Sequence, residues 1–288
     1  MSPAIENLDT MVRDVPAMPV VAQKVMHMLG DPRTTNTQLG ETLGSDQSLA
    51  SRVLQMANSP FFGTRQKIGS ISGAIFILGH AALRSLIITV CTKGLYKSPG
   101  LMEQKLWEHA LATGVASRLT AEKVGFLDPD EAFVGGLLHD VGKTVLAVFQ
   151  HSSYETVFMR AYNEGLSYGE VRDMEKEEFG YDHCEIGLRV ITKWRLPGLL
   201  ARIARRHHTE TTETLEKEEN PQAVAVVAQA NLITNRLGLG LREPDKRIDV
   251  ISTPYCAMLC LEKPSVLRLV EKTLKVYHDA RDQFSLET

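Results

Sequence analysis

Apolar positions along the chain recur three or four residues apart, and runs of alternating β-branched residues are missing. The pattern predicts an all-α protein. Met18, Val21, Val25 and Met28 mark one face of a first helix, ended by Gly30-Asp31-Pro32. Asp46 reads as the N-cap of the next helix, with Leu49, Val53 and Met56 facing inward. A turn follows from Asn58 to Gly63. Ser70 then caps a short helix ending near Gly79, and another runs from about Ala81 to Lys93. Four consecutive turn formers, Lys97-Ser98-Pro99-Gly100, divide the chain into an N-terminal lobe, 1–97, and a second lobe with C-terminal helices, 98–288.

The second lobe opens with a long helix, about Glu103 to Val124, stopped by Gly125. Asp128-Pro129 starts a helix that reaches His139, where Gly142 is expected to break the chain. Asp182 with Glu185 is a capping-box variant. Leu196-Pro197, Asn220-Pro221 and Pro264 each open a further helix. The acidic stretch from Thr209 to Asn220 reads as a solvated loop.

Nine histidines punctuate this pattern, and five fall at positions that suggest chemistry. Leu200, Ile203, Ala204, His207 and His208 follow the i, i+3, i+4, i+7, i+8 rule, so both imidazoles share the apolar stripe. His183, Ile186, Gly187, Val190, Ile191 and Trp194 form a second stripe. His139-Asp140 offers a nitrogen and a carboxylate at one helix end, and Ala132, Gly135 and Gly136 let a neighbouring helix approach closely. His109 lies mid-helix on a largely small or apolar surface. Buried imidazoles without partners cost free energy, so these need hydrogen bonds or a metal. Taken singly, each reads as a hydrogen-bonded core residue; taken together, they point to a site. Imidazoles with one carboxylate suit Zn, Fe, Ni or Mn, and helical bundles build such centres in their cores. His27, His80, His151 and His278 lie outside the pattern.

The 288 residues suffice for one large domain or two modest ones with a real core. The net charge of −3 argues against a general nucleic-acid binder. Only Arg202, Arg205 and Arg206 suggest otherwise, and they fall near the inward histidines. The apolar run from Ser85 to Cys91 is far too short to span a bilayer. No charged-then-apolar leader is present, so the expected location is cytoplasmic. Cys91, Cys184, Cys256 and Cys260 form no CxxC pair and read as reduced, mostly buried thiols; Cys256 and Cys260 are expected to share a helix as core packing.

Several motifs occur in a fixed order: Val15-Pro16-Ala17-Met18-Pro19, Ser45-Asp46 with Leu49, Ala57-Asn58-Ser59, and Ser70-Ile71 with Ala74-Ile75 and Leu78-Gly79. Leu106-Trp107, Gly135 to Lys143, Phe179-Gly180 with His183, Trp194 with Leu196-Pro197, and His207-His208 follow. Over about residues 11 to 208 this order resembles the HDOD (HD-related output domain) family of bacterial signalling proteins, relatives of the HD superfamily of metal-dependent phosphohydrolases. The resemblance implies a multi-helix fold with an N-terminal lobe on an HD-like lobe. It also implies metal ligands at His109, His139, Asp140, His183, His207 and His208, with Lys143 just after the His-Asp pair. The superfamily's distant Asp should lie on the helix after the acidic loop, where the inward polar residue is Asn231. An amide is a weaker, neutral ligand, and its presence weakens the case for catalysis. No Gly-Tyr-Pro motif follows His208, which separates the chain from the HD-GYP cyclic-dinucleotide phosphodiesterases.

Two functions follow from the resemblance. One is a regulatory module that binds a signalling protein or a small ligand, with any metal structural. The other is a metal-dependent phosphohydrolase, in which Asp140 and Lys143 take part in metal-assisted attack of water on a nucleotide or other phosphoester.

Overall fold

The computed structural model describes residues 3–62, 67–96, 100–209, 211–284 and 286. Among these, every regular element is helical and no strand occurs. Lys97, Ser98 and Pro99 of the expected lobe boundary, Gly63 of the expected turn and Glu210 of the acidic stretch lie outside the described residues. The chain groups into two compact units, Met1–Pro16 with Ser98–Lys275, and Ala17–Lys97 with Val276–Thr288.

Helix α1, Pro3–Asp14, opens the chain. The smaller unit holds α2 (Val20–Met28), α3 (Asn36–Gly44), α4 (Gln47–Ala57) and α5 (Ile71–Lys93). Asp46 and Ser70 cap α4 and α5 as expected, accepting from the N–H groups of Leu49 and Gly73. Helix α3 carries a cap signal that the apolar pattern does not show. The Thr35 hydroxyl accepts from Gln38 N–H, and the Gln38 side chain accepts from Thr35 N–H.

The larger unit continues with α6 (Leu101–Val124), α7 (Pro129–Leu138), α8 (Val141–Phe149), α9 (His151–Glu164) and α10 (Tyr168–Phe179). Then come α11 (His183–Lys193), α12 (Gly198–Arg206), α13 (Thr212–Glu216), α14 (Pro221–Arg236) and α15 (Pro254–Met258). The last helix is α16, Lys263–Phe284. Helix α6 packs against α7 and α14, and α11 packs against α8 and α12. The α6–α7 approach is close: a Cβ on Gly136 would lie 2.5 Å from the Thr113 carbonyl oxygen.

Four expectations are corrected here. Gly142 does not break the chain. The break falls at His139-Asp140, and Gly142 lies in the first turn of α8, where a Cβ would collide with the His183 carbonyl oxygen. The acidic stretch is not all loop. Thr211 caps α13 by accepting from Thr214 N–H, and Leu215 is buried. Cys260 is exposed, because α15 ends at Met258 and the chain turns at Cys260 with φ 52. Finally, Asn231 is not the single inward polar residue of α14. That helix is packed by α6, α7, α12 and α15, so Gln229, Thr234 and Asn235 are buried as well.

Two helical stretches, Ile71–Lys93 and Pro129–Phe149, are apolar and long enough to cross a membrane by length and composition alone. Both exceed the Ser85–Cys91 run because neighbouring helices join end to end. The first bends at Gly79 (φ 84), and the second is interrupted by His139-Asp140. Burial within the protein covers 56% and 83% of their apolar windows.

Candidate metal centre

Four helix ends and one helix middle supply the cluster. His109 projects from the middle of α6, His139 ends α7, Asp140 precedes α8, His183 begins α11, and His207 and His208 follow α12. The Asp182 carboxylate caps α11 at Glu185 N–H and is held by Arg172 at 2.8 Å, which fixes where His183 starts its turn. The bare glycine face of Gly142 lets α8 reach the His183 backbone.

The Asp140 carboxylate stands at the centre. Its Oδ1 lies 3.2 Å from both His183 Nε2 and His207 Nε2. Its Oδ2 lies 3.4 Å from His139 Nε2, 3.7 Å from His109 Nε2 and 2.6 Å from Lys143 Nζ. His208 Nε2 is 3.2 Å from His183 Nε2.

The other ring nitrogens explain these orientations. His109 Nδ1 faces the Leu239 carbonyl at 3.1 Å, His139 Nδ1 that of Gly136 at 2.6 Å, and His207 Nδ1 that of Ala204 at 3.0 Å. His183 Nδ1 faces Glu175 Oε2 at 2.6 Å. Those oxygens only accept, so each Nδ1 donates and each Nε2 is turned toward Asp140. Metal-binding histidines are held in this way, by an outer acceptor on the distal nitrogen. His139 Nε2, His207 Nε2 and Asp140 Oδ1 are buried without a hydrogen-bond partner among the described residues. They approach one another without hydrogen-bond alignment, and each orphaned group costs about 1–3 kcal/mol. A cation among them would satisfy all three, so the donor set fits a metal.

The electrostatics make three of the rings ready donors, while His183 holds a proton that a metal would have to replace. Burial, with His139 adding to it, pushes His109 down to about 3. Burial pushes His207 down to about 4 against the pull of Asp140. Burial, with His207 and His183, drives His208 well below its ordinary value. These rings are neutral lone-pair donors at pH 7. Burial opposes charge on Asp140, but His139, Lys143 and His183 outweigh it and hold the carboxyl well below the usual range. Burial likewise opposes a cationic His183, yet Cys184, Glu175 and Asp140 raise it to about 10.

All six expected His and Asp positions gather in the larger unit, with Lys143 against them. The ligand atoms of His109, His139 and Asp140 fall within 4.8 Å of one another, as do those of His183, Cys184, His207 and His208. Asn231 stands apart from this contact set. Its Oδ1 accepts from Asn235 Nδ2 at 2.6 Å, and it joins His207 and His208 only as part of the wall of a cavity of about 240 Å³. The remaining histidines, His27, His80, His151 and His278, are exposed. Arg202, Arg205 and Arg206 pair with Glu219, Glu185 and Glu218.

Three residues escape a reading based on inward stripes. Glu175 is fully buried on an otherwise polar helix, where charge would suggest a solvated face. Cys184 follows His183 and looks like packing. Tyr168 places a buried hydroxyl, without a hydrogen-bond partner among the described residues, beside the cluster, its ring 5.2 Å from His208, and burial raises its phenol well above the ordinary value. A capping box at Ser167 and Glu170 marked the start of that helix. A larger cavity of about 370 Å³ opens over the cluster, walled by His109, Asp140, Lys143, Tyr168, His183 and His208 among others.

The HDOD domain family matches over residues 15–210. The chain belongs to the HDOD family. A Treponema pallidum protein of uncharacterised function is 24% identical over 229 residues, which are 77% of this chain; the chain spans only 42% of that relative's length. Among solved structures, a Geobacter sulfurreducens HDOD domain protein of unknown function is 27% identical, with a TM-score of 0.76, covering 95% of this chain and 97% of that one. A candidate phosphohydrolase from Shewanella amazonensis shares the fold at 23% identity and a TM-score of 0.73, covering 99% of each chain. A candidate signal transduction protein from Marinobacter aquaeolei does so at 16% identity and a TM-score of 0.71, covering 96% of this chain and 64% of that one.

Proposed function

We propose that this HDOD chain is a cytoplasmic signalling module whose larger unit carries a divalent transition metal, Fe, Mn, Zn or Ni, at Asp140 and the five imidazoles. A signalling protein or small ligand would meet it at the cavity over the cluster. The observation that carries this reading is the set of anchored Nδ1 atoms, which turns four Nε2 atoms onto one carboxylate and leaves buried donor atoms unsatisfied. Elemental analysis of protein purified without added metal tests it. Near-stoichiometric transition metal, lost in His139→Ala, is the expected result. Trace metal unchanged by that substitution removes the reading.

A second reading, a metal-dependent phosphohydrolase, is favoured by the gathered imidazoles with Asp140 and by Lys143 at the cavity wall. The metal would supply Lewis acidity and neutralise charge on a phosphoryl oxygen. This chain's own residues argue for the regulatory role. Lys143 is committed to Asp140 at 2.6 Å, and α14 offers amides where a second carboxylate would serve. Metal-loaded protein is expected to turn over no phosphoester or nucleotide. Turnover that disappears in Asp140→Asn would replace the first reading with the second.

A further inference from the structure

We propose that Cys184 is itself a metal ligand. It would supply a thiolate beside His183, His207 and His208, making the Oδ1 side of Asp140 a mixed nitrogen and sulfur site. The inference rests on the metal-centre reading and goes beyond its imidazole and carboxylate donors.

Three observations carry it. The first is position. A ligand atom from each of His183, Cys184, His207 and His208 falls within one 4.8 Å span, and Cys184 is completely buried with a free thiol. The other cysteines are placed differently: Cys256 Sγ donates to the Val250 carbonyl, Cys260 is exposed, and Cys91 belongs to the smaller unit. The second is charge. Asp140 is the one carboxylate among the clustered donor atoms of the described residues. Glu175 is occupied by the His183 N–H, by His183 Nδ1 and by the Tyr154 hydroxyl. Asn231 and Asn235 bond to each other. A second anionic donor would offset a buried dication further than one carboxylate shared with Lys143 does. A thiolate at Cys184 provides it. The third is access. His183 and His208 line the larger cavity and Cys184 does not, so the sulfur would close the protein side of the site and leave the cavity side open.

Binding would release the thiol proton to solvent as the metal–sulfur bond forms. A thiolate with imidazoles favours Zn, Co or Fe over the oxygen-seeking Mn and Mg. The Oδ1 side would therefore be thiophilic, while the His109 and His139 side would keep nitrogen and oxygen donors only.

Cobalt(II) loading of the full chain tests this, with bound cobalt counted by elemental analysis and read by absorption. Visible ligand-field bands report the bound ion, and a near-ultraviolet thiolate-to-cobalt charge-transfer band reports sulfur ligation. The expected result is that the charge-transfer band is present in the wild type, lost in Cys184→Ser and kept in Cys256→Ser. Cobalt bound without that band in the wild type overturns the proposal and leaves the metal centre standing, with no variant needed. A band that survives in Cys184→Ser or Cys184→Ala also overturns it. A wild type that binds no cobalt overturns the metal centre and this inference together.

Discussion

The two oxygens of Asp140 sit in contrasting company. Oδ2 has a resident cation, the Lys143 ammonium at 2.6 Å, and burial against that ammonium is outweighed by Asp140 and Glu175, which raise its pKa. Among the described residues Oδ1 faces ring nitrogens, two of them at 3.2 Å, and is unpartnered by hydrogen-bond geometry. One side of the carboxylate is thus held by a lysine ammonium, while the other faces imidazoles alone. A stability site and a ligand site can share one side chain, and the difference lies in whether the neighbouring positive charge is a lysine ammonium or an imidazolium whose proton a metal can replace.

The sharpest way to break this comparison is Asp140→Asn. It strands a buried ammonium and removes the charge shared by both sides. Chemical denaturation is expected to show a loss of about 3–5 kcal/mol, as for breaking a buried ion pair from one end, and elemental analysis a loss of bound metal. Unchanged stability would mean that Lys143 does not depend on this carboxylate. Glu175→Gln comes next. It keeps a side-chain acceptor for the His183 N–H but weakens the hold on His183 Nδ1, so chelator competition should show metal affinity falling about 10–100-fold. No change would place His183 outside the ligand set. Lys143→Met separates the two sides more finely. Removing the resident cation from Oδ2 is expected to raise metal occupancy beside His109 and His139 in a titration, whereas a fall would show that the lysine supports the site. The smallest effect is expected for Asn231→Asp. It adds a carboxylate near His207 and His208, and a modest gain in metal affinity by calorimetry would put α14 within reach of the centre.

Much of the site was legible along the chain. The stripes through His183 and through His207-His208 point inward because helical spacing puts them on the faces that carry Ile186, Val190, Leu200 and Ile203, all buried. The caps at Asp46, Ser70, Asp128 and Asp182 were equally plain, since a side chain bonding an N–H two or three residues on is a local event. Periodicity failed on helices packed from several sides. On α14 it singled out Asn231, although Gln229, Thr234 and Asn235 are buried too. It failed again on polar helices such as α10, where Glu175 is buried because His183 needs an acceptor, not because of any stripe.

The sequence by itself determined that helices form, where most begin, and that the imidazoles of His183, His207 and His208 lie on inward stripes, because these follow from spacing and from bonds within a few residues. Only the tertiary structure decided which nitrogen of each ring faces Asp140, that Lys143 takes one of its oxygens, and that Cys184 joins the imidazoles. Those choices depend on acceptors and neighbours supplied by helices distant in the chain. The Leu239 carbonyl orients His109 across 130 residues, and no local pattern carries that information.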